Sequence, residues 1–180
     1  MSASIRPERD AAYVTLTFDP LQWPDDGGAV IDFLVASDWP FHGTPRLTPT
    51  HAAAVTVVAD DVATFWIRND DQTVGIIRLF DLDDVEVGSP LFDLRIAEEH
   101  RGRDTGRQAV QWLTGHLFTT YPILHRIEAT TRHDNLAMQA VLARCRYRLE
   151  GRLLEAWRNA DGTRCDTLTY AILRREYGAV

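Results

Sequence analysis

Seven stretches of the chain alternate apolar and polar residues or are rich in β-branched and aromatic residues, which is typical of strands. Clusters of Pro, Gly, Asn and Asp separate them, as expected of turns. Within the last pair, Asp161-Gly162 is a strong hairpin signal. The predicted strands are Ala12–Phe18, Ala63–Arg68, Thr73–Phe80, Leu91–Ile96, His125–Thr131, Tyr147–Arg158 and Cys165–Arg174.

Apolar residues at helical spacing predict four helices between these strands. Thr48 followed by Pro49 fits an N-cap and a first helical residue. Asp134 can cap a later helix that runs to about Cys145. The predicted helices are Ala29–Ser37, Pro49 to about Ala59, Thr105–Thr120, with Val110, Leu113, Leu117 and Phe118 on one side, and the helix after Asp134, with Leu136, Ala140, Val141 and Ala143 as its apolar face.

The order of these elements indicates a single mixed α/β domain over residues 1–180. No apolar run approaches the ~20 residues of a membrane span, and the first residues lack the apolar segment of a signal peptide. Cys145 and Cys165 form neither a disulfide framework nor a metal-ligand spacing. We therefore expect a cytoplasmic protein with reduced cysteines, no metal and no membrane partner.

The net charge of −7 disfavours general nucleic-acid binding, which requires a basic footprint. All 19 basic residues are arginine. Residues 1–90 carry five arginines and 15 acidic residues, whereas residues 91–180 carry 14 arginines and 11 acidic residues. The second half therefore suits an anionic ligand and the first half could attract a cationic one. Alternatively, the two halves of the sequence do not correspond to two sides of the fold.

The stretch Phe92–Gln111 reads as a strand, a turn rich in Arg and Gly, and a helix. Such a turn leaves backbone N–H groups free at the helix start, where the helix dipole adds positive potential. This arrangement suits a phosphate or pyrophosphate. The alternative is an ordinary exposed turn that its arginines keep soluble.

Four motifs in the second half together resemble those of the GNAT acyltransferases, the Gcn5-related N-acetyltransferase superfamily, and are most similar to the ribosomal-protein-alanine acetyltransferase-like branch. The resemblance extends over residues 12–177 and is strongest after residue 90. The motifs are the turn Arg101–Gly106, the segment Asn135–Met138, the segment Cys145–Gly151, and Asp161-Gly162-Thr163 followed by Asp166–Tyr170.

This resemblance implies an α/β GNAT fold with a mixed, mostly antiparallel central sheet of about seven strands and about four flanking helices. It also implies acetyl-CoA as the acyl donor. The turn amides would hold the pyrophosphate, and the strand edge at Leu94 and Ile96 would bind the pantetheine arm. The implied donor-binding residues are Leu94, Ile96, Arg101, Gly102, Arg103, Asp104, Thr105, Gly106, Arg107 and Asn135.

The chain departs from the family pattern at three positions. Asp104 and Arg146 each replace a Gly, and Leu142 stands where many members have a Tyr that protonates the leaving thiolate. Asp tolerates a left-handed backbone, but its charge beside a pyrophosphate is unfavourable, so the arginines around it must offset that charge. Arg146 is expected to change the direction in which the chain leaves the helix that ends at about Cys145.

The acceptor amine must lose a proton to attack a thioester, so a base is required. Asp93 shares a strand face with Arg95, and Glu128 lies on the next strand. These carboxylates are the first candidates for the base, and His42, in the loop Trp39–Gly43, is the third. The alternatives are that both carboxylates form ion pairs with neighbouring arginines, and that Trp39 and Phe41 are core anchors beside a surface histidine.

Two functions follow from these observations. The first is an N-acetyltransferase that acts by direct attack on the thioester, with a primary amine of a small molecule or a protein or peptide N-terminus as acceptor. A cationic acceptor is mildly favoured by the acidic first half, and a homodimer is possible. The second is a GNAT-fold protein that binds acyl-CoA or a partner without catalysis, as Asp104 and the missing Tyr suggest.

Overall fold

The fold follows from seven strands whose bounds match the alternating segments closely. The computed structural model describes residues 15–55 and 59–178. The predicted first strand begins outside these residues, and the observed one runs on through Pro20. The strands are β1 Leu16–Pro20, β2 Ala63–Asn69, β3 Gln72–Phe80, β4 Leu91–Ile96, β5 Arg126–Arg132, β6 Arg148–Arg158 and β7 Arg164–Leu173.

Five helices accompany the strands in the described residues, one more than predicted. A single turn of 3₁₀ helix, Glu98–His100, precedes α3. Helix α2 is described over Pro49–Val55, and residues 56–58 of its predicted length lie outside the description. The helices are α1 Gly27–Ala36, α2 Pro49–Val55, α3 Thr105–Thr120, α4 Leu136–Arg144 and α5 Arg174–Tyr177.

The strands divide into two antiparallel sheets rather than one continuous sheet. Strands β1-β2-β3-β4 form the first in that order, and β5-β7-β6 form the second. The sheets approach each other at β4 and β5. Because the described ladder of β4 is with β3 alone, its other edge faces the junction between the sheets. That edge is where an extended ligand can add to the backbone.

The larger core joins both sheets to α3. On α3 the predicted face is confirmed, since Val110, Leu113, Leu117 and Phe118 are all buried. They pack against β-strand residues such as Ile77 and Ile127. This burial fixes the start of α3 beside the end of β4, which places the Arg- and Gly-rich turn.

A second, smaller core lies between α1, α2 and the first sheet. It contains Val30, Leu34, Trp39, Trp66 and Ile76, all buried. The Trp39 indole donates a hydrogen bond to the carbonyl of Leu34 at 2.8 Å. Trp39 is therefore a core anchor, as one interpretation of the sequence held, and it fixes the loop that follows.

Helix α4 differs from the sequence prediction in its cap. Asn135 is the N-cap, and its side-chain oxygen accepts from the N–H of Met138 at 3.2 Å. Asp134 instead pairs with Arg132, with a shortest separation of 2.7 Å. Arg132 thus binds the Asp134 carboxylate that was predicted to cap α4.

The predicted apolar face of α4 is also wrong. Leu136 is 71% exposed, and Ala140 and Ala143 are exposed too. The fully buried residue is Leu142. A helix of nine residues with many small apolar residues has several possible apolar stripes, and packing against the larger core selects the one that contains Leu142.

The last strand ends one residue earlier than predicted, because Arg174 begins α5. Its guanidinium donates to the carbonyls of Phe118, Tyr121 and Leu124. These carbonyls lie at and after the end of α3, where a cation is favourable. Arg174 therefore fixes the C-terminal end of the helix whose N-terminus forms the turn.

Candidate functional site

Strand β4 presents two different faces to the rest of the protein. Leu94 and Ile96 pack against the larger core. Asp93 and Arg95 lie on the other face, where they meet His42 and Trp39 of the aromatic loop, residues 39–43. The alternation predicted from the sequence therefore separates apolar positions from charged ones along one strand.

The turn after β4 adopts the left-handed backbone that an anion-binding turn requires. Gly102 has φ +71°, and Asp104 has φ +68° immediately before the first residue of α3. Asp is one of the few side chains that tolerate this region. The turn thus forms with Asp104 in a position that Gly usually occupies, and the first N–H groups of α3 lack intrahelical partners.

The charge of Asp104 is neutralised by Arg107. Arg107 Nε donates to Asp104 Oδ1 at 2.7 Å, and the Arg107 Nη2 group contacts Asp104 Oδ2. The hydrogen bond from Arg107 lowers the pKa of Asp104 against the effect of burial, and the charges of Arg107 and Arg144 lower it further. One arginine of the turn is therefore engaged with Asp104.

Arg101 connects the turn to the aromatic loop. Its Nε donates to the carbonyl of Ile96 at 2.9 Å, and its Nη2 donates to the carbonyl of Asp38 at 2.6 Å. Its guanidinium lies 5.6 Å from the Trp39 ring centroid. This arginine, predicted from the resemblance to bind the donor, holds β4 and the loop together in the structure.

A pocket of about 370 Å³ opens between β4, the turn, the aromatic loop and α4. Eight of the ten predicted donor-binding residues line it, and Arg103 and Thr105 are absent from its lining. Small side chains at Ala137 and Ala140 leave room on the α4 wall. The lining residues are Trp39, Pro40, Phe41, His42, Leu94, Arg95, Ile96, Arg101, Gly102, Asp104, Gly106, Arg107, Asn135, Ala137, Met138, Ala140, Val141 and Arg144.

Sequence reasoning missed Arg144 as a pocket residue. It lies in the last turn of α4, and the structure brings it to the side of the pocket that Asp104 and Arg107 form. In the sequence, the only indication was that Arg144 follows Asn135 by nine residues. This spacing identifies a pocket residue only when the orientation of α4 is known.

Three side chains form a hydrogen-bonded chain at the pocket wall. His42 Nε2 lies 2.8 Å from Asp93 Oδ1, and Arg95 Nε donates to Asp93 Oδ2 at 2.9 Å. Burial would raise the pKa of Asp93, but the hydrogen bond from His42 and the charge of Arg95 outweigh it and lower the pKa to about 2. Asp93 is therefore ionised at neutral pH and is a weak base.

The structure does not bring Glu128 to the pocket. Its carboxylate lies 3.0 Å from Arg126, which also contacts Glu150 at 2.7 Å. Glu128 is absent from the pocket lining. Its environment is the ion pair that the sequence offered as the alternative, so Asp93 and His42 are the predicted base candidates that the fold places together.

No tyrosine, serine, threonine or cysteine appears in the pocket lining among the described residues. Leu142 is fully buried in the larger core. The nearest sequence candidate for a hydroxyl, Tyr147, is buried and its hydroxyl lies 2.9 Å from Thr114 Oγ1. Burial raises the pKa of Tyr147 well above its usual range. His42 is a lining side chain whose ring nitrogens can act as hydrogen-bond donor and acceptor.

The model of the Acetyltransferase (GNAT) domain family matches residues 16–148. The chain therefore belongs to the GNAT acetyltransferase family. It is an acyl-CoA-dependent N-acetyltransferase by family, with acetyl-CoA as the donor that the sequence predicts. No curated protein sequence matches the chain.

Solved structures of GNAT proteins have the same fold. A chimera of the spermidine N-acetyltransferase SpeG from Vibrio cholerae and hSSAT is 19% identical, with a TM-score of 0.76 over 92% of this chain and 99% of that one. Vibrio cholerae SpeG in complex with CoA and spermine is 20% identical, with a TM-score of 0.73 over 90% and 97%. These likenesses show the fold.

Mycobacterium smegmatis RimJ, in complex with CoA-disulfide, is 25% identical, with a TM-score of 0.73 over 89% of this chain and 83% of that one. RimJ represents the ribosomal-protein-alanine acetyltransferase branch that the motifs resemble.

None of the helices within residues 15–55 and 59–178 has both the length and the apolar character that a membrane span requires.

Proposed function

We propose that this protein transfers an acetyl group from acetyl-CoA to a primary amine, with His42 as the base that takes the amine proton. The observation that carries this proposal is the chain from Arg95 through Asp93 to His42 at the wall of the pocket. The arrangement places a histidine, oriented by an ionised carboxylate, beside the strand that the family uses for its donor.

Features of the turn and of β4 support binding of the donor in this pocket. The turn carries a positive φ at Gly102 and at Asp104, and a Cβ added to Gly106 would lie 3.5 Å from Val141, in ordinary contact. The turn amides would hold the pyrophosphate, with Arg144 and Arg107 nearby. The free edge of β4 at Leu94 and Ile96 would bind the pantetheine arm. When bound, acetyl-CoA supplies the thioester whose carbonyl carbon the amine attacks.

The tautomer of His42 follows from its partner. Because Asp93 is ionised, it only accepts hydrogen bonds, so His42 Nε2 carries a hydrogen. In the neutral ring, Nδ1 then holds the lone pair. Nδ1 has no hydrogen-bond partner among the described residues and is shielded from solvent. The role therefore requires the aromatic loop to shift as the acceptor enters.

Asp93 and Arg95 act as positioning residues in this scheme. Asp93 fixes the ring of His42 and stabilises the charge that forms when Nδ1 takes a proton. Arg95 is 6% exposed and lies 5.4 Å from the Trp39 ring centroid, which holds it beside Asp93. The protonated His42 would also return a proton to the leaving thiolate, since no tyrosine among the described residues lines the pocket.

Arg95 also bears on the acceptor. Its Nη1 is buried and finds no partner within the part of the chain that the structure describes, although Arg95 lines the pocket. An acceptor with a carbonyl or carboxylate oxygen next to its amine would satisfy this donor. The first-half residues that line the pocket carry no acidic side chain. These features favour an α-amino carbonyl compound, such as a peptide N-terminus, over a polyamine.

Release of free thiol from acetyl-CoA tests this proposal with three matched acceptors: an alanine-first peptide, alanine amide and spermidine. We expect turnover with the first two and little with spermidine. In Arg95→Met, which also loosens Asp93, the loss should be larger for the peptide than for a simple alkylamine measured in the same variant. Measurable CoA binding with no turnover on any amine would instead support the non-catalytic alternative that Asp104 suggests.

A further inference from the structure

Three side chains with metal-binding atoms meet at the end of the second sheet, away from the pocket lining. His133 and Asp134 follow β5 directly, and Cys165 is the second residue of β7. One ligand atom from each, an imidazole nitrogen, a carboxylate oxygen and the thiol sulfur, lie within 4.8 Å of one another. The cluster therefore combines three types of ligand atom, and Cys165 lies 32 residues after His133 and 31 after Asp134.

The sheet register brings these residues together. In the β5–β7 ladder Arg132 lies opposite Thr167. The pairing continues one step beyond, since the N–H of His133 donates to the carbonyl of Asp166 at 3.0 Å. This bond holds the turn that contains His133 and Asp134 beside Asp166 and Cys165. The cluster therefore joins the turn after β5 to the first residues of β7.

We propose that His133, Asp134 and Cys165 form a site for one zinc ion, or a divalent metal of similar softness. Sulfur, imidazole and carboxylate are the ligand types that zinc prefers, at about 2.0–2.3 Å in tetrahedral geometry. Tetrahedral ligand atoms lie about 3.5 Å apart, so the side chains must close by about 1 Å. His133 and Asp134 are exposed and can move. Cys165 loses its thiol proton to solvent, and water completes the coordination.

Arg132 competes with the metal for one ligand. It donates through Nε to Asp134 Oδ1 at 2.9 Å and through Nη2 to Asp134 Oδ2 at 2.7 Å. Zinc binding must take one of these oxygens from the guanidinium. Removal of Arg132 should therefore strengthen the site, whereas removal of a ligand should weaken it. This difference in sign separates the site from nonspecific metal binding.

Isothermal titration of zinc into the untagged, reduced full chain tests the proposal, together with the thiolate-to-cobalt absorption band on Co²⁺ substitution. We expect one zinc per chain. Cys165→Ser and His133→Ala should each weaken binding by more than the ~10–100-fold that loss of an outer-shell partner costs. Arg132→Gln should tighten binding. The matched controls, Cys145→Ala and His51→Ala, should leave affinity and the cobalt band unchanged.

Two results would overturn the site. The first is zinc binding that Cys165→Ser leaves unchanged, or that Cys145→Ala abolishes. The second is the absence of zinc binding at metal concentrations up to the millimolar range, with all variants folded by circular dichroism. Because the measurement is of binding, its failure leaves the proposed acetyl transfer unaffected.

Discussion

His42 and Asp93 lie 51 residues apart in sequence, and their Nε2 and Oδ1 atoms are 2.8 Å apart in the structure. The contact joins the aromatic loop to β4, the strand that borders the pocket. It also orients the one histidine in the pocket lining. The proposed chemistry depends on this relationship, and each variant below tests one part of it.

Replacement of His42 should reduce turnover with little effect on donor binding. A positioned base contributes typically ~10²–10⁴-fold, so His42→Ala should lower kcat by that order. CoA affinity, measured by calorimetry, should stay within about twofold because the turn and β4 are untouched.

The matched control for this variant is Glu128→Gln, which lies outside the pocket and pairs with Arg126. Its kcat should stay near that of the parent. Equal losses in His42→Ala and Glu128→Gln would contradict the assignment of His42 as base.

Loss of the Asp93 charge should change the dependence of stability on pH. The pKa of Asp93 is lowered to about 2 from its ordinary 3.8 by His42 and Arg95, against the opposing effect of burial. A carboxyl whose pKa is lowered in the folded state stabilises the fold at pH values above its pKa in the unfolded chain. That contribution is lost as pH falls from about 4 to about 2. It amounts to about 2 kcal/mol at neutral pH.

Urea unfolding of Asp93→Asn should show this loss at pH 7 and a smaller difference from the parent at pH 2. Asp38→Asn, whose exposed carboxylate pairs with Arg46, is the control and should change little. A parent and an Asp93→Asn protein with parallel stability curves across this pH range would exclude the predicted coupling.

Asp104 and Arg107 should be energetically coupled in donor binding. In the parent, Arg107 neutralises Asp104. Arg107→Ala then leaves a negative charge near the pyrophosphate and should weaken CoA binding by about tenfold. In an Asp104→Gly background the same substitution should cost clearly less, since no charge remains uncompensated.

The coupling is measured in a double-mutant cycle, from the CoA affinities of the parent, the two single variants and the double variant by calorimetry. Asp104→Gly alone should tighten CoA binding, because the negative charge of Asp104 is removed and Gly accepts the left-handed backbone at this position. Additive effects would mean that Arg107 does not offset the charge of Asp104.

Restoration of the family tyrosine at position 142 should not restore an acid. Leu142 is fully buried in the larger core and does not line the pocket, so Leu142→Tyr adds bulk and a hydroxyl to a packed interior. We expect a loss of about 1–3 kcal/mol in the free energy of unfolding and no rise in kcat. Leu142→Met, of similar volume, is the control for packing, and a faster Leu142→Tyr enzyme would contradict this placement.

Local chemistry in the sequence was sufficient to predict the centre of the fold. The bounds of β4 and α3 were predicted to the residue. A strand, a turn that contains Gly102 and Asp104, and an amphipathic helix each have a strong local signal in the sequence. The face of α3 followed from its spacing alone. The left-handed backbone of Asp104 was likewise foreseeable from residue type.

Other features depended on distant partners. Arg101, predicted to bind the donor, lines the pocket, and its sequence position did not indicate that its guanidinium also bonds to the carbonyls of Ile96 and Asp38. Asp134 was predicted to cap α4, but Arg132 engages it. An arginine can reach many acceptors, and its sequence position does not say which of them the fold brings near.

The sequence by itself determined the order of the seven strands and of the first four helices, the Arg- and Gly-rich turn between β4 and α3, and the family, because those rest on residue type and spacing over short distances. The tertiary structure alone decided which base candidates lie together at the pocket, since the aromatic loop and β4 are distant in sequence and meet through the His42–Asp93 contact and the hydrogen bonds of Arg101. It also decided that Glu128 lies elsewhere and that Arg144 joins the pocket. Such choices are made by long-range packing, which places side chains that no local pattern connects.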